Sequence, residues 1–352
     1  MGPFLFQPGP TSTPYSEGMG RRRGLPDTKG PLVISRRSLL SSALAASAAI
    51  GLAACSDDQD GSGSSDGGGA SDSATPALDG VTVSKDLKKA PKVEFKTPLS
   101  IDQPDARTIV AGKGAQIAEG DTIIWRPLYV DASSGKTKQS WWEDGPAGSV
   151  TVSTDQIGEK AADFLVTATV GSRVALAGWQ QDASGSMVSL IQVADIDRVV
   201  SPLRAKGKEQ KPSGDLPAVK LGKDGAPSLE GKPEGDPPSK TTREVLIEGE
   251  GDKTRKGDHL VMQYTGWTWD DGKQFDSSWE RKVPFGFTQG QGDVITGWDE
   301  HLTGLPIGSQ VMLVIPPKDA YGTDEKSGGE LAGKTLVFVI DVLDAAPTQK
   351  NS

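Results

Sequence analysis

The chain has 352 residues, of which 35% are hydrophobic, with 44 glycines, 24 prolines and a formal net charge of −9. That length holds two ordinary domains plus tails, and the glycine and proline content favours loop-rich β structure over a helical bundle. Residues 1–55 hold six basic and two acidic side chains, which leaves −13 on the remainder; phosphate contacts need clustered Lys and Arg, so nucleic acid is excluded as a partner. One cysteine and two separated histidines, His259 and His301, exclude an internal disulfide framework and give no metal-ligand spacing, and neither metal nor cofactor is expected.

In chain order, Ser35-Arg36-Arg37-Ser38 precedes an Ala/Leu/Ser run from Leu39 to Ala54. A basic patch before a short apolar stretch has the physics of a secretory signal, and the serine-diluted run is a poor transmembrane helix. It ends Leu52-Ala53-Ala54-Cys55, which resembles a bacterial lipobox. The resemblance implies cleavage before Cys55, a diacylglycerol on its thiol, and anchorage on the outer face of the cell membrane. Arg36-Arg37 with Ser38-Leu39-Leu40 also resembles a twin-arginine export motif, with Leu39 in the Phe position; an ordinary secretory signal fits equally. Met19 offers a second start. Residues 56–80, rich in Gly, Ser and Asp, read as a flexible tether.

Two copies of one pattern follow. GlyAspThrIleIle at 120–124 recurs as GlyAspHisLeuVal at 257–261, Gly135-Lys136 as Gly272-Lys273, and GlySerArgVal at 171–174 as GlySerGlnVal at 308–311, each 137 residues on. SerLeuIleGlnValAlaAspIle at 189–196 matches ThrLeuValPheValIleAspVal at 335–342 with an offset of 146, so the first copy is nine residues shorter before its last strand. A register held over some fifty residues indicates a tandem duplication. The reading is a first domain over 81–200, a linker over 201–215, a second domain over 216–346 and a tail over 347–352, with irregular edge strands of the second domain from about Leu216.

Within the second copy, Leu260 to Trp267, Gln310 to Ile315 and Leu336 to Leu343 have short β-type patterns. Ile295, Trp298, Leu302 and Leu305 fall on one face of a helix. An antiparallel sheet wrapped on one short helix, an α+β fold, is expected for each copy. Gly290-Gln291-Gly292 reads as a turn, because no strand-to-helix GxGxxG accompanies it. Trp141-Trp142 and Trp179 of the first copy read as packing residues, with an exposed binding patch as the alternative.

The second copy also carries TyrThrGly at 264–266, GlyLysGlnPheAspSerSerTrp at 272–279, ProPheGlyPhe at 284–287, ValIleThrGlyTrp at 294–298, AlaTyrGly at 320–322 and ThrLeuValPhe at 335–338. In this order and spacing, over about residues 243–345, the set resembles the FKBP family of peptidyl-prolyl isomerases. The resemblance implies a proline pocket floored by Trp298 and walled by Tyr264, Phe285, Val294, Ile295 and Phe338, with Phe275 beside them. It places Asp276 at the rim, positioned by Tyr264 and paired with Arg281, and it has the Tyr321 hydroxyl and the Ile295 N–H bind substrate carbonyls. Proline-containing polypeptides are the implied substrates, macrolides such as tacrolimus the implied inhibitors, and no cofactor is implied.

Two departures from the family pattern matter. The loop at 323–333, ThrAspGluLysSerGlyGlyGluLeuAlaGly, stands where the family commonly carries an apolar Ile-Pro flap. In the first copy the positions of Tyr264, Phe275, Asp276 and Trp298 hold Pro127, Lys138, Gln139 and Ala161, so the fold is expected there without the activity. A surface-tethered chaperone or binding module is the alternative reading of the whole chain.

Overall fold

The computed structural model describes residues 76–182, 185–211, 213 and 216–349. Cys55, the signal and most of the tether therefore lie outside the described residues. The tether nevertheless ends before residue 80: Ala77–Gly80 forms a 3-10 turn, Leu78 is buried, and its N–H donates to the Asp105 carboxylate at 2.8 Å.

Thr82–Val83 (β1) and Val93–Glu94 (β2) make a small ribbon before the first sheet. That sheet consists of Asp105–Val110 (β3), Thr122–Asp131 (β4), Thr137–Ser140 (β5), Gly148–Thr151 (β6), Arg173–Gln181 (β7) and Met187–Val199 (β8). Its order is β3-β7-β8-β4-β5, with β6 also on β4. Two short helices, Thr154–Ile157 (α1) and Glu159–Leu165 (α2), intervene. The chain continues through Gly207–Glu209 (β9), Val219–Leu221 (β10) and Pro227–Leu229 (β11). The second main sheet adds Thr242–Gly249 (β12), His259–Thr268 (β13), Gln274–Ser277 (β14), Phe285–Thr288 (β15), Gln310–Ile315 (β16) and Leu336–Ala346 (β17). It runs β14-β13-β17-β16-β12-β9, with β15 on β13, and its helices are Ser278–Arg281 (α3), Thr296–His301 (α4) and Glu325–Gly328 (α5). Every main-sheet pairing is antiparallel.

Strand β13 is buried along nearly its whole length because both faces of the sheet are covered. Leu260, Met262 and Tyr264 alternate onto one face, with Trp298 and Leu302 from and beside α4, as the period of two requires. On the opposite face Trp267, Trp269, Met312, Val314, Val337 and Val339 pack against Leu216, Val219 and Leu229. The β10–β11 hairpin thus lies across the outer face as a separate ribbon; it does not extend the sheet edge as expected from about Leu216. The stretch expected as a linker over 201–215 is also structured in part. Strand β9 pairs with β12, and the Ala205 N–H donates to the buried Asp341 carboxylate at 2.7 Å.

The two sheets share their irregularities. Strands β3, β4, β5, β6 and β7 begin 137 residues before β12, β13, β14, β15 and β16. Register shifts at Thr108/Val110, Ile124/Trp125 and Tyr129/Val130 match those at Val245/Ile247, Val261/Met262 and Gly266/Trp267. Gly120, Gly135 and Gly171 have φ of 86°, 73° and 87°, and Gly257, Gly272 and Gly308 have 93°, 65° and 92°. These are left-handed positions that side chains with a Cβ rarely occupy. The main divergence lies between the last two strands. Gln181 and Met187 close a tight β7–β8 hairpin, whereas β16 and β17 are separated by the segment that holds Tyr321 and α5.

Candidate active site

The site is built on four strands, one helix and two loops. Trp298 is 0% exposed, in the first turns of α4, and four rings surround it. Tyr264 and Phe338, from β13 and β17, stand edge-on to it with centroids at 5.1 and 5.2 Å and interplanar angles of 83° and 82°. Phe285 of β15 is edge-on at 6.0 Å, and Phe287, two residues along on the same face, tilts against it at 6.1 Å. Edge-to-face contacts suit the ring quadrupoles. Phe275 of β14 meets Phe338 edge-on at 5.5 Å. Val294 and Ile295 are buried in the same cluster, while Phe275, Phe285 and Tyr321 are only partly buried against it. Those three half-buried rings form the open side of the cup.

Gly266 explains how two of the rings approach. A Cβ there would lie 2.7 Å from both the Phe275 and Phe338 rings, and Gly266 pairs with Asp276 on one side and Phe338 on the other. In the first sheet the equivalent row is Gln139, Tyr129 and Gln192. Tyr129 is buried there, so a side chain stands where the second sheet leaves space.

Asp276 is 7% exposed at the edge of the cup. It accepts the Tyr264 hydroxyl and pairs with Arg281, whose second nitrogen donates to the Tyr264 oxygen at 2.9 Å. Arg281 lies over the Tyr264 ring at 5.7 Å. Burial, and then the Asp276 charge, push the Tyr264 phenol far above its ordinary range, so it stays a neutral donor. Burial likewise raises the Tyr321 phenol. The Tyr321 hydroxyl is buried without a partner among the described residues, as is the Trp298 indole N–H. Ile295 is extended immediately before α4, at φ −60° and ψ 148°, so its N–H lies outside the helix ladder.

The structure therefore brings Tyr264, Phe275, Asp276, Phe285, Val294, Ile295, Trp298, Tyr321 and Phe338 together, with Arg281 behind Asp276. Sequence reasoning gave Phe287 no role of its own; in the structure it supports the floor from beneath. It also overlooked Leu331, a single apolar residue in the polar 323–333 loop. Leu331 is 4% exposed and joins the same core, and the Gly333 N–H closes the loop onto the Gly322 carbonyl at 2.7 Å. Gly290 and Gly292 form the expected turn, with N–H groups donating to the Asp299 carboxylate of α4 at 2.7 and 2.9 Å. Among the described residues no cluster of His, Cys, Asp and Glu is arranged to hold a metal. A crevice of about 360 Å³ lined by Arg204, Lys206, Glu250 and Ile307 lies apart from the cup and contains no aromatic residue.

A family model described as FKBP-type peptidyl-prolyl cis-trans isomerase matches residues 251–343. "FK506-binding protein" of Streptomyces anulatus is 38% identical over 112 residues, which is 32% of this chain and 90% of that protein. "Probable FK506-binding protein" of Corynebacterium glutamicum is 39% identical over 113 residues, covering 32% and 93%. "FK506-binding protein 2B" of Rhizopus delemar is 46% identical over 99 residues, 28% of this chain, which spans only about half (47%) of that relative's length. The antiparallel sheet and its aromatic cup thus fall in a known class of fold. The chain belongs to the FKBP-type peptidyl-prolyl cis-trans isomerase family through its second sheet.

Proposed function

We propose that the cup centred on Trp298 rotates X–Pro bonds in exported or cell-surface polypeptides. The observation that carries this reading is the half-open ring cluster itself, with the unpaired Tyr321 hydroxyl at its partly exposed side. X–Pro rotation is opposed by amide resonance, a barrier of roughly 18–20 kcal/mol, and requires no covalent step. An apolar cup removes the water that stabilises the planar, charge-separated amide, and so favours the twisted form over the ground state. Acceleration by about 10⁴ needs only about 5.5 kcal/mol of such preference. In this scheme the prolyl ring rests on Trp298 between Tyr264, Phe285, Val294, Ile295 and Phe338, with Phe275 at the side. Tyr321 and the Ile295 N–H hold substrate carbonyls. Asp276, clamped by Arg281, fixes the Tyr264 wall. Macrolides of the FK506 kind occupy the same cup as inhibitors. Cys55 carries the lipid that tethers the chain to the outer face of the membrane.

We also read the two sheets as two FKBP-like domains that arose by duplication, each wrapped on its own short helix, the first having lost its cup. The shared bulges and left-handed glycines support this. The first domain then suits a binding role, which the row Gln139, Tyr129 and Gln192 favours over catalysis.

The test uses the full chain in a proline-peptide isomerisation assay. Trp298→Leu abolishes most of the acceleration if the cup is the site. Activity retained in a folded Trp298→Leu variant overturns the assignment. If client aggregation is still suppressed in the Asp276→Ala/Phe338→Ala double variant, holding of clients resides outside the cup; loss of suppression there removes the binding role.

A further inference from the structure

The two domains meet through positions that are equivalent to one another. Ile124 and Val261, 137 residues apart, are buried in one apolar cluster, and so are Val200 and Ala346, 146 apart. Arg198 and Asp344, also 146 apart, form a forked ion pair, with Nε to Oδ2 at 3.0 Å and Nη2 on Oδ1. Ser149 and Gly286, 137 apart, touch: the Ser149 Oγ occupies the space a Cβ on residue 286 would need. Contact between identical positions of two copies is the signature of a two-fold axis. The departure from symmetry is equally informative. The axis position holds Arg in one copy and Asp in the other, so a second copy of either domain on this face would set like charges together. Trp141 adds a one-sided wedge: it is buried in the same cluster, and its indole N–H donates to the Pro347 carbonyl at 3.3 Å.

This docking reaches the cup from behind. Strand β15 pairs with β13, through His259↔Thr288, Leu260↔Phe287, Val261↔Gly286 and Met262↔Phe285. Phe285 and Phe287 face the cup, so Gly286 between them faces the first domain. There the Ser149 Oγ lies 2.9 Å from His259 Nε2, and His259 Nε2 is itself 2.9 Å from the ideal Cβ position of Gly286. We propose that the first domain is the built-in half of a pseudo-two-fold dimer and that Ser149 is a positioning residue, acting through Gly286 and His259 on the strand that carries the Phe285 wall. The proposal rests on the isomerase reading of the cup, and its physical half is tested separately from activity.

In the full chain, Arg198→Asp and Asp344→Arg each set like charges at the axis, and the double variant Arg198→Asp/Asp344→Arg restores the pair. Amide exchange of Gly286, Phe287 and Thr288 is followed alongside kcat and KM for a proline peptide, with circular dichroism to show that each variant is folded. Both single variants speed exchange in β15 by tenfold or more and raise KM several-fold with kcat less affected. The double variant recovers both, and Ser149→Ala gives a smaller change of the same sign. Exchange that speeds while KM stays fixed overturns the positioning role. Exchange that does not respond, or a double variant that fails to recover, overturns the docking. If the wild type shows no isomerase activity, the isomerase reading fails and the positioning role with it, while the exchange data still decide the docking.

Discussion

Tyr321 separates function from stability at a single atom. Its hydroxyl is buried and without a partner among the described residues, so it contributes no net bond to the empty fold. Tyr321→Phe therefore leaves Tm unchanged or slightly raised while kcat/KM falls about fivefold to tenfold, the worth of one hydrogen bond of about 1–1.5 kcal/mol made only to substrate. Calorimetry and the peptide assay on one sample check both halves. Asp276 behaves in the opposite way. Removing it takes away the buried acceptor of the Tyr264 hydroxyl, while Arg281 keeps the Tyr264 oxygen and contact with solvent, so Asp276→Ala lowers stability by about 1–3 kcal/mol along with activity, and denaturant titration reads the loss. The cup residues were legible in the sequence because each stands in a short motif whose spacing survives intact. Phe287 was not placed, because alternation along a strand shows which residues share a face but not which of them reaches the opening. Leu331 was missed because one apolar side chain among ten polar or small ones gives no periodicity to detect.

At the scale of elements, the 323–333 segment is held by a few contacts. Leu331 anchors it in the core and the Gly333 to Gly322 bond closes it, with α5 and a 3-10 turn between. Leu331→Ala leaves a cavity costing about 2–5 kcal/mol where the surroundings cannot collapse. The predicted result is local: amide exchange accelerates across 323–333 and affinity for the peptide falls, with little change in β13 or β17. Uniform acceleration across the sheet would show instead that the loop and core unfold together. The strands and α4 were readable from their periods of two and 3.6. The β10–β11 hairpin was not placed on the outer face, because Leu216, Val219 and Leu229 are too widely spaced to declare a surface. Its site became plain only once Trp267 and Trp269 were seen to need cover.

Two buried groups, His259 at the contact with Ser149 and Asp341 inside the second sheet, make the fold sensitive to acid in opposite directions. Burial depresses His259 to about 4, and burial raises Asp341 to about 6. The unfolded chain takes up the His259 proton below about pH 6.5 and the folded chain only near 4, so this group removes stability as pH falls through that window. Folded Asp341 takes up its proton near 6 and the unfolded carboxyl only near 4, so this group adds stability as pH falls from 6 to 4. Each term amounts to about 3 kcal/mol, and in the wild type they largely cancel. His259→Asn is predicted to gain stability on acidification from pH 6 to 4, and Asp341→Asn to lose it; urea titrations across that range give the two slopes, and parallel slopes would refute the assignment. The sequence anticipated two sheets with equivalent strand starts through its fixed 137-residue offset. It did not disclose how the copies meet, because Trp141, Ser149, Arg198 and Asp344 have no pattern linking them until the chain is folded.

Trp298 is assigned as the floor of a pocket that rotates X–Pro bonds. The most direct test is exchange NMR on a short proline peptide with catalytic amounts of the full chain, wild type beside Trp298→Leu. Cis–trans exchange well above the spontaneous rate is expected with the wild type, and near the spontaneous rate with the folded variant. Equal acceleration by both proteins, or by neither, would contradict it.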